Sequence, residues 1–181
     1  MIAFAYSGGL RAAELCGLEV ADVLGVKPTP SGDVVMVHVR PEIAKRGRER
    51  HVALGLDVLP YLEAWQATRD RLGIRSPVLF CTISKPSPGG KLDTSYMRRR
   101  LPALARRAGI SRRVHMHALR ATMATEMVHE SVPLSTLQAQ LGHSSLLTTF
   151  LYVKKLAPEL ALAPIATRPG WREDSLDTGS A

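Results

Sequence analysis

The chain has 181 residues, 45% of them hydrophobic, with 24 Lys and Arg against 16 Asp and Glu and a formal net charge of +8. That length allows one compact domain with its own core, and two cysteines, Cys16 and Cys81, give neither a zinc-site spacing nor a disulfide scaffold. No apolar run nears the ~18 residues of a membrane span, and the opening Met-Ile-Ala-Phe-Ala-Tyr lacks the basic region of a secretory signal, which excludes membrane and secreted classes and points to the cytoplasm.

Residues 1–6 read as the end of a helix stopped by Ser7-Gly8-Gly9. Arg11 to Cys16 reads as a short helix with Leu10, Leu15 and Leu18 as buried anchors. Pro28, Pro30, Ser31 and Gly32 read as a loop. The β-branched run Val34 to Val39 predicts a strand and His51 to Leu54 its returning partner, joined through the basic stretch Lys45 to Arg50. Asp57 is the candidate N-cap of a helix to about Leu72, ended by Gly73. Val78 to Cys81 is a short apolar run, and Ser84 to Gly90 a Pro/Gly/Ser loop.

From Asp93 onward the pattern is helical. Asp93 or Thr94 caps a helix to about Ala108, with Tyr96, Met97, Leu101, Leu104 and Ala105 on one side and arginines on the other. His115 to His129, Pro133 to Leu141 and Ser145 to Lys154 complete the set, with Pro133 acceptable in a first turn. The outline is α+β, mostly helical with a small antiparallel β-hairpin. Residues 1–156 make the domain. Residues 157–181 form a tail, partly disordered or docked in cis or trans through Leu156, Leu160, Leu162 and Ile165.

Charge is uneven along the chain. Thr94 to Thr125 holds eight arginines and no acid, and Arg40 to Arg50 holds five bases against two acids. An acid-free, arginine-rich segment suits a polyanion such as nucleic acid, with a solvated face as the alternative reading.

Five features stand out in order: Gly9-Leu10-Arg11-Ala12-Ala13-Glu14-Leu15, Lys45 in its basic stretch, His117-Ala118-Leu119-Arg120, Leu141-Gly142-His143-Ser144, and Tyr152. Singly, each has a structural explanation. Arg11 could pair with Glu14, Lys45 could sit in a solvated turn, and Gly142-His143 could end a helix. Together, two arginines, two histidines, a lysine and a phenol match the transfer of a phosphodiester to a protein oxygen. Arginine stays protonated and its planar fork fits non-bridging phosphate oxygens. A phenol with an unperturbed pKa near ~10 needs a base or a positive field to attack. The leaving alkoxide needs a proton donor, which lysine or histidine can supply. There is no HExxH or carboxylate cluster to serve metal-assisted hydrolysis.

These motifs, with the Lys between two strands and Thr-Thr-x-x-Tyr, resemble the catalytic domain of the tyrosine recombinase (phage integrase) family from about Ala5 to Lys154. The resemblance implies that Arg11 and Arg120 bind the scissile phosphate and that Tyr152 attacks it, giving a 3′-phosphotyrosyl link and a free 5′-hydroxyl. It implies that Lys45 protonates the leaving oxygen, that His117 assists proton transfer and that His143 hydrogen-bonds the phosphate. Glu14 is a structural partner rather than a catalyst. Site-specific recombination or integration of double-stranded DNA follows, with no cofactor and no metal. The chain is then a monomer without DNA and an oligomer on it, a tetrameric synapse in the family. Arg46, Arg48, Arg98, Arg99, Arg112 and Arg113 are the candidate further DNA contacts.

Two departures qualify the match. Family members carry an N-terminal core-binding domain, whereas only ten residues precede Arg11. An excised fragment or a truncated relative would bind DNA weakly and with little sequence choice, because each lost phosphate contact removes about 0.9 from the salt slope. Ala121 stands where the family commonly has histidine, outside the catalytic six. Two other readings stay open: a non-catalytic DNA-binding module, and a type IB topoisomerase-like nicking and closing enzyme.

Overall fold

Alternation of apolar and polar residues builds the sheet in this computed structural model, which describes residues 1–85, 87–156 and 158. β1 (Val23–Thr29), β2 (Gly32–Val39) and β3 (Arg50–Leu54) form a three-stranded antiparallel sheet in the order β1-β2-β3. Val35, Val37 and Val39 of β2 are fully buried, as is Val52 of β3, while His38 and His51 pair and stack on the other face. Arg50 shares the inward parity of Val52 and Leu54.

The residue pattern predicts a loop over residues 28–32 and no strand before Val34. In the structure β1 continues through Pro28 and Thr29, and only Pro30 and Ser31 form the turn. β1 is an edge strand, where proline is tolerated because a missing N–H interrupts no inner ladder.

α1 (Ile2–Ser7) and α2 (Ala12–Gly17) meet at Gly9, which has φ 58°. A Cβ there would also lie 2.0 Å from Met123 Cε, so both the turn and the close approach require glycine. Leu10, Leu15 and Leu18 are buried as anticipated. The first core gathers these with the valines of the sheet and with Phe4 and Phe80, whose rings meet edge to face at 5.3 Å.

α3 spans Leu59–Arg71. Asp57 does not cap it; Leu56–Val58 form a 3-10 turn, and the helix begins after Val58 with Pro60 in its first turn. Arg69, buried in α3, donates to the carbonyls of Ser76, Val78 and Leu79, pinning the returning segment under the helix. α4 (Thr94–Arg107) starts at Asp93, whose Oδ1 accepts from Ser95 N–H at 2.7 Å. Met97, Leu101 and Ala105 are buried, but Leu104 is exposed rather than on the buried side.

α5 (Met116–His129) is capped by His115, whose Nδ1 accepts from Ala118 N–H at 3.1 Å. α6 (Leu134–Leu141) follows Pro133 and stops at Gly142, in the left-handed region at φ 63°. α7 spans Leu146–Leu156. A second core, Met123, Ala124, Leu137, Leu141 and Val153, fills the space where α5, α6 and α7 meet. Gln140 joins the two cores: its side chain accepts from Ala53 N–H at 3.1 Å and donates to Ala53 C=O at 2.6 Å along the free edge of β3. The tail residues Leu160, Leu162 and Ile165 lie outside the described residues.

Candidate active site

Arg11 stands at the entry to α2. Its backbone N–H donates to Glu14 Oε2 and its Nη1 to Glu14 Oε1, both at 2.8 Å. Glu14 is fully buried, which a carboxylate tolerates only when paired. Arg50 from β3 supplies the pair, donating from Nη1 and Nη2 to the two carboxylate oxygens at 2.9 and 2.8 Å. Burial pushes the Glu14 carboxyl up, but the hydrogen bonds and charge of Arg50, with Arg11, hold it down at about 2.

Arg120 of α5 is 5% exposed. Its Nη1 donates to Gly9 C=O at 2.5 Å and its Nη2 to Leu141 C=O at 2.6 Å. Those two carbonyls use only part of its five N–H donors. Burial, followed by the charge of Arg11, lowers it to about 10. Two guanidinium groups therefore share one region, from elements far apart in sequence.

His143 follows the left-handed Gly142. Its Nε2 lies 3.4 Å from Arg120 Nη2 and its Nδ1 lies 3.0 Å from Thr149 Oγ1. A guanidinium can only donate, so Nε2 accepts, and Nδ1 carries the proton and donates to Thr149. Burial and the charges of Arg120, Arg11 and Arg50 bring His143 down to about 4.

Tyr152 of α7 lies between two imidazoles. Its ring centroid is 5.5 Å from that of His143, at 86°, and 5.8 Å from that of His117, at 64°. The Tyr152 Oη is buried and, among the described residues, has no hydrogen-bond partner. Burial raises its pKa and the Arg120 charge opposes that rise. Burial, then the charges of Arg120, His115 and Lys155, lower His117 below its ordinary value.

Five of the six positions, Arg11, His117, Arg120, His143 and Tyr152, thus form one cluster. Lys45 stands apart, exposed at the start of the 3-10 turn Lys45–Gly47 in the β2–β3 connection. Among the described residues it makes no side-chain hydrogen bond or ion pair. Arg46, held at φ 62°, and Arg48 are exposed on the same connection. A cleft of about 510 Å³ runs from Arg48 past Arg50 and Gln138 to His143. Arg98 and Arg99 are exposed on α4, the latter donating to Ser95 Oγ at 2.6 Å, and Arg112 and Arg113 are exposed between α4 and α5.

Sequence reasoning missed Arg50 and Thr149. Both carried a signal. Arg50 has the period-two parity of buried Val52 and Leu54, and Thr149 precedes Tyr152 by three residues, on the same helical face.

The sequence model of the Phage integrase family matches residues 1–158. The chain belongs to the phage integrase family. Among curated phage integrase relatives, the tyrosine recombinase XerC of Haemophilus ducreyi (strain 35000HP / ATCC 700724) is 32% identical over 177 residues, covering 98% of this chain and 54% of that protein. XerC of Escherichia coli O157:H7 is 30% identical over 169 residues, covering 93% and 52%. The chain spans about half the length of these curated relatives. Among solved structures, XerA recombinase superimposes with a TM-score of 0.73 at 26% identity, over 93% of this chain and 57% of that one. XerH bound to a palindromic difH substrate, in a post-cleavage complex, shares the fold with a TM-score of 0.69 at 22% identity, over 92% and 43%. Among the described residues no helix is long and apolar enough to cross a membrane.

Proposed function

We propose that this phage integrase family chain cuts and rejoins double-stranded DNA at specific sites, with Tyr152 as the nucleophile. The observation that carries the reading is the Tyr152 Oη, buried beside two imidazoles within the field of Arg120 and without a hydrogen-bond partner among the described residues. A buried, unpaired hydroxyl costs about 1–3 kcal/mol. A catalytic role is one explanation for such a group in a folded protein.

In the proposed step the Tyr152 Oη attacks the scissile phosphorus, a 3′-phosphotyrosyl bond forms and the P–O5′ bond breaks. His117, whose pKa lies below its ordinary value, accepts the phenol proton. Lys45, on its exposed loop, delivers a proton to the departing 5′ oxygen. Arg11 and Arg120 hold the non-bridging oxygens, where a preorganised donor is worth on the order of 10²–10³ in rate. His143 bonds the same phosphate. Because the phosphodiester energy is kept in the link, a 5′-hydroxyl from another strand reverses the attack and reseals the DNA. Arg46, Arg48, Arg98, Arg99, Arg112 and Arg113 contact the backbone. The protomers assemble as a tetramer on DNA and are monomers without it.

A nicked suicide duplex tests this. Incubated with the chain in EDTA and then denatured, it yields a covalent protein–DNA band that is absent with Tyr152→Phe. Binding without any band overturns the reading in favour of a DNA-binding module. A band without strand exchange between two sites makes the chain a nicking and closing enzyme.

A further inference from the structure

Arg50 lies outside the six-residue set, and its side chain is 8% exposed. Among the described residues its side chain makes three hydrogen bonds. Two close the fork on Glu14, and Nε donates to Gln140 C=O at 3.1 Å. On its other side Glu14 holds the backbone and guanidinium of Arg11. Gln140 precedes Leu141, whose carbonyl receives Arg120, and Gly142, which leads to His143. Gly142 also packs on Arg50, since a Cβ there would lie 2.9 Å from Arg50 Cδ and 3.1 Å from Cζ. One guanidinium therefore touches the start of the site in α2 and its end after α6, from a seat in β3.

We infer that Arg50 is a positioning residue, fixing Glu14 and through it Arg11 against the backbone that carries His143 and the carbonyl acceptor of Arg120. This rests on the phosphotyrosyl reading above. The balance of charge agrees with it. Three guanidinium groups and one carboxylate leave the cluster cationic for an arriving phosphate, while Glu14 cancels enough charge for Arg11 and Arg50 to stand side by side. Two parallel bonds to a carboxylate fix direction as well as distance, which a lysine at position 50 cannot do.

Single-turnover cleavage of the nicked suicide duplex by the full chain, at saturating protein, tests the role. Arg50→Gln lowers the cleavage rate constant about 10²-fold and Arg50→Lys about tenfold, the scale of a misplacement near 1 Å, while duplex affinity stays within about threefold. Wild-type cleavage by Arg50→Lys overturns the inference, whether or not Arg50→Gln folds. Affinity falling in step with rate also overturns it, making Arg50 a DNA contact. Proton–nitrogen spectra of the DNA-free chain give a readout that needs no cleavage: in Arg50→Lys the His143 imidazole and Arg11 guanidinium signals shift, and the Trp65 indole signal does not. Unmoved His143 and Arg11 signals overturn the positioning role. A wild-type chain that binds duplex and forms no adduct fails the phosphotyrosyl reading instead, and the spectra alone then decide Arg50.

Discussion

His143 Nδ1 and Thr149 Oγ1 lie 3.0 Å apart, and this contact fixes which imidazole nitrogen faces Arg120. Thr149 is fully buried on α7, one turn before Tyr152. The helix that carries the nucleophile therefore also holds the orientation of the histidine beside it, whose tautomer Arg120 selects. Thr149→Val keeps the shape and removes the acceptor. The stranded Nδ1–H then costs about 1–3 kcal/mol of stability. Adduct formation falls on the order of tenfold, because the ring is no longer held in one orientation beside Arg120. Thr149→Ser, which keeps the hydroxyl, retains most of the rate. Equal cleavage by the valine variant in the suicide-duplex assay would show that the contact is incidental.

Tyr152→Phe separates function from stability. The phenol oxygen is buried and has no partner among the described residues, so deleting it removes a polar group that folding had stripped of water. Thermal unfolding of Tyr152→Phe is expected at or above the wild-type midpoint, by about 1 kcal/mol of stability, in a variant that forms no adduct. A lower midpoint would mean that the oxygen has a stabilising partner in solution.

Much of this architecture was legible in local chemistry. Asp93 caps the helix it precedes as expected, and Gly142 takes the left-handed turn at a helix end, while His115, expected inside its helix, caps it instead. Leu10, Leu15 and Leu18 were readable as core from spacing alone. Where local signals competed, the reading failed. Pro28 and Pro30 suggested a loop, yet the edge position let β1 run through the first of them. Asp57 has the chemistry of a cap, but a 3-10 turn moved the helix start past it. Long-range partners left the faintest trace. Arg50 looked like one more base in a basic run, and only its pairing with Glu14, 36 positions earlier, gives it a role. Lys45 was found by motif, and its exposed loop adds no contact that would identify it without one.

Stability should fall in two steps on acidification. His143 drops from an ordinary 6.5 to about 4 in the fold, so between those values the unfolded chain binds a proton that the folded chain declines. Unfolding then takes up protons, and stability declines as pH falls through this window. His117, also lowered, adds the same sign. Glu14 acts further down. Its carboxyl is held at about 2 against an ordinary 4.5, so its stabilisation is complete above 4.5 and is lost as pH falls towards 2. Urea unfolding from about pH 7 to about pH 2 reads both windows. His143→Gln shrinks the upper one to the His117 share and leaves the lower. Glu14→Gln removes the lower one and destabilises the chain by about 3–5 kcal/mol at neutral pH, because Arg50 loses its buried counter-charge. A single transition unaffected by His143→Gln would place that imidazole in solvent.

The salt dependence of duplex binding reports on the arginines outside the cluster. Arg112 and Arg113 are exposed between α4 and α5 and, among the described residues, have no hydrogen bond or ion pair. Their charge is available to phosphates at no cost in broken contacts, unlike Arg120, whose guanidinium is already committed to two carbonyls. Each phosphate they neutralise releases counterions and adds about 0.9 to the slope of log affinity against log salt. The double substitution Arg112→Gln and Arg113→Gln should therefore reduce the slope by about 1.8. The loss of affinity should be the same for a chosen site and for random duplex, since backbone contacts carry no sequence information. Fluorescence anisotropy across a salt series measures both quantities. An unchanged slope would move these two arginines off the DNA face, and a loss confined to one sequence would make them base readers.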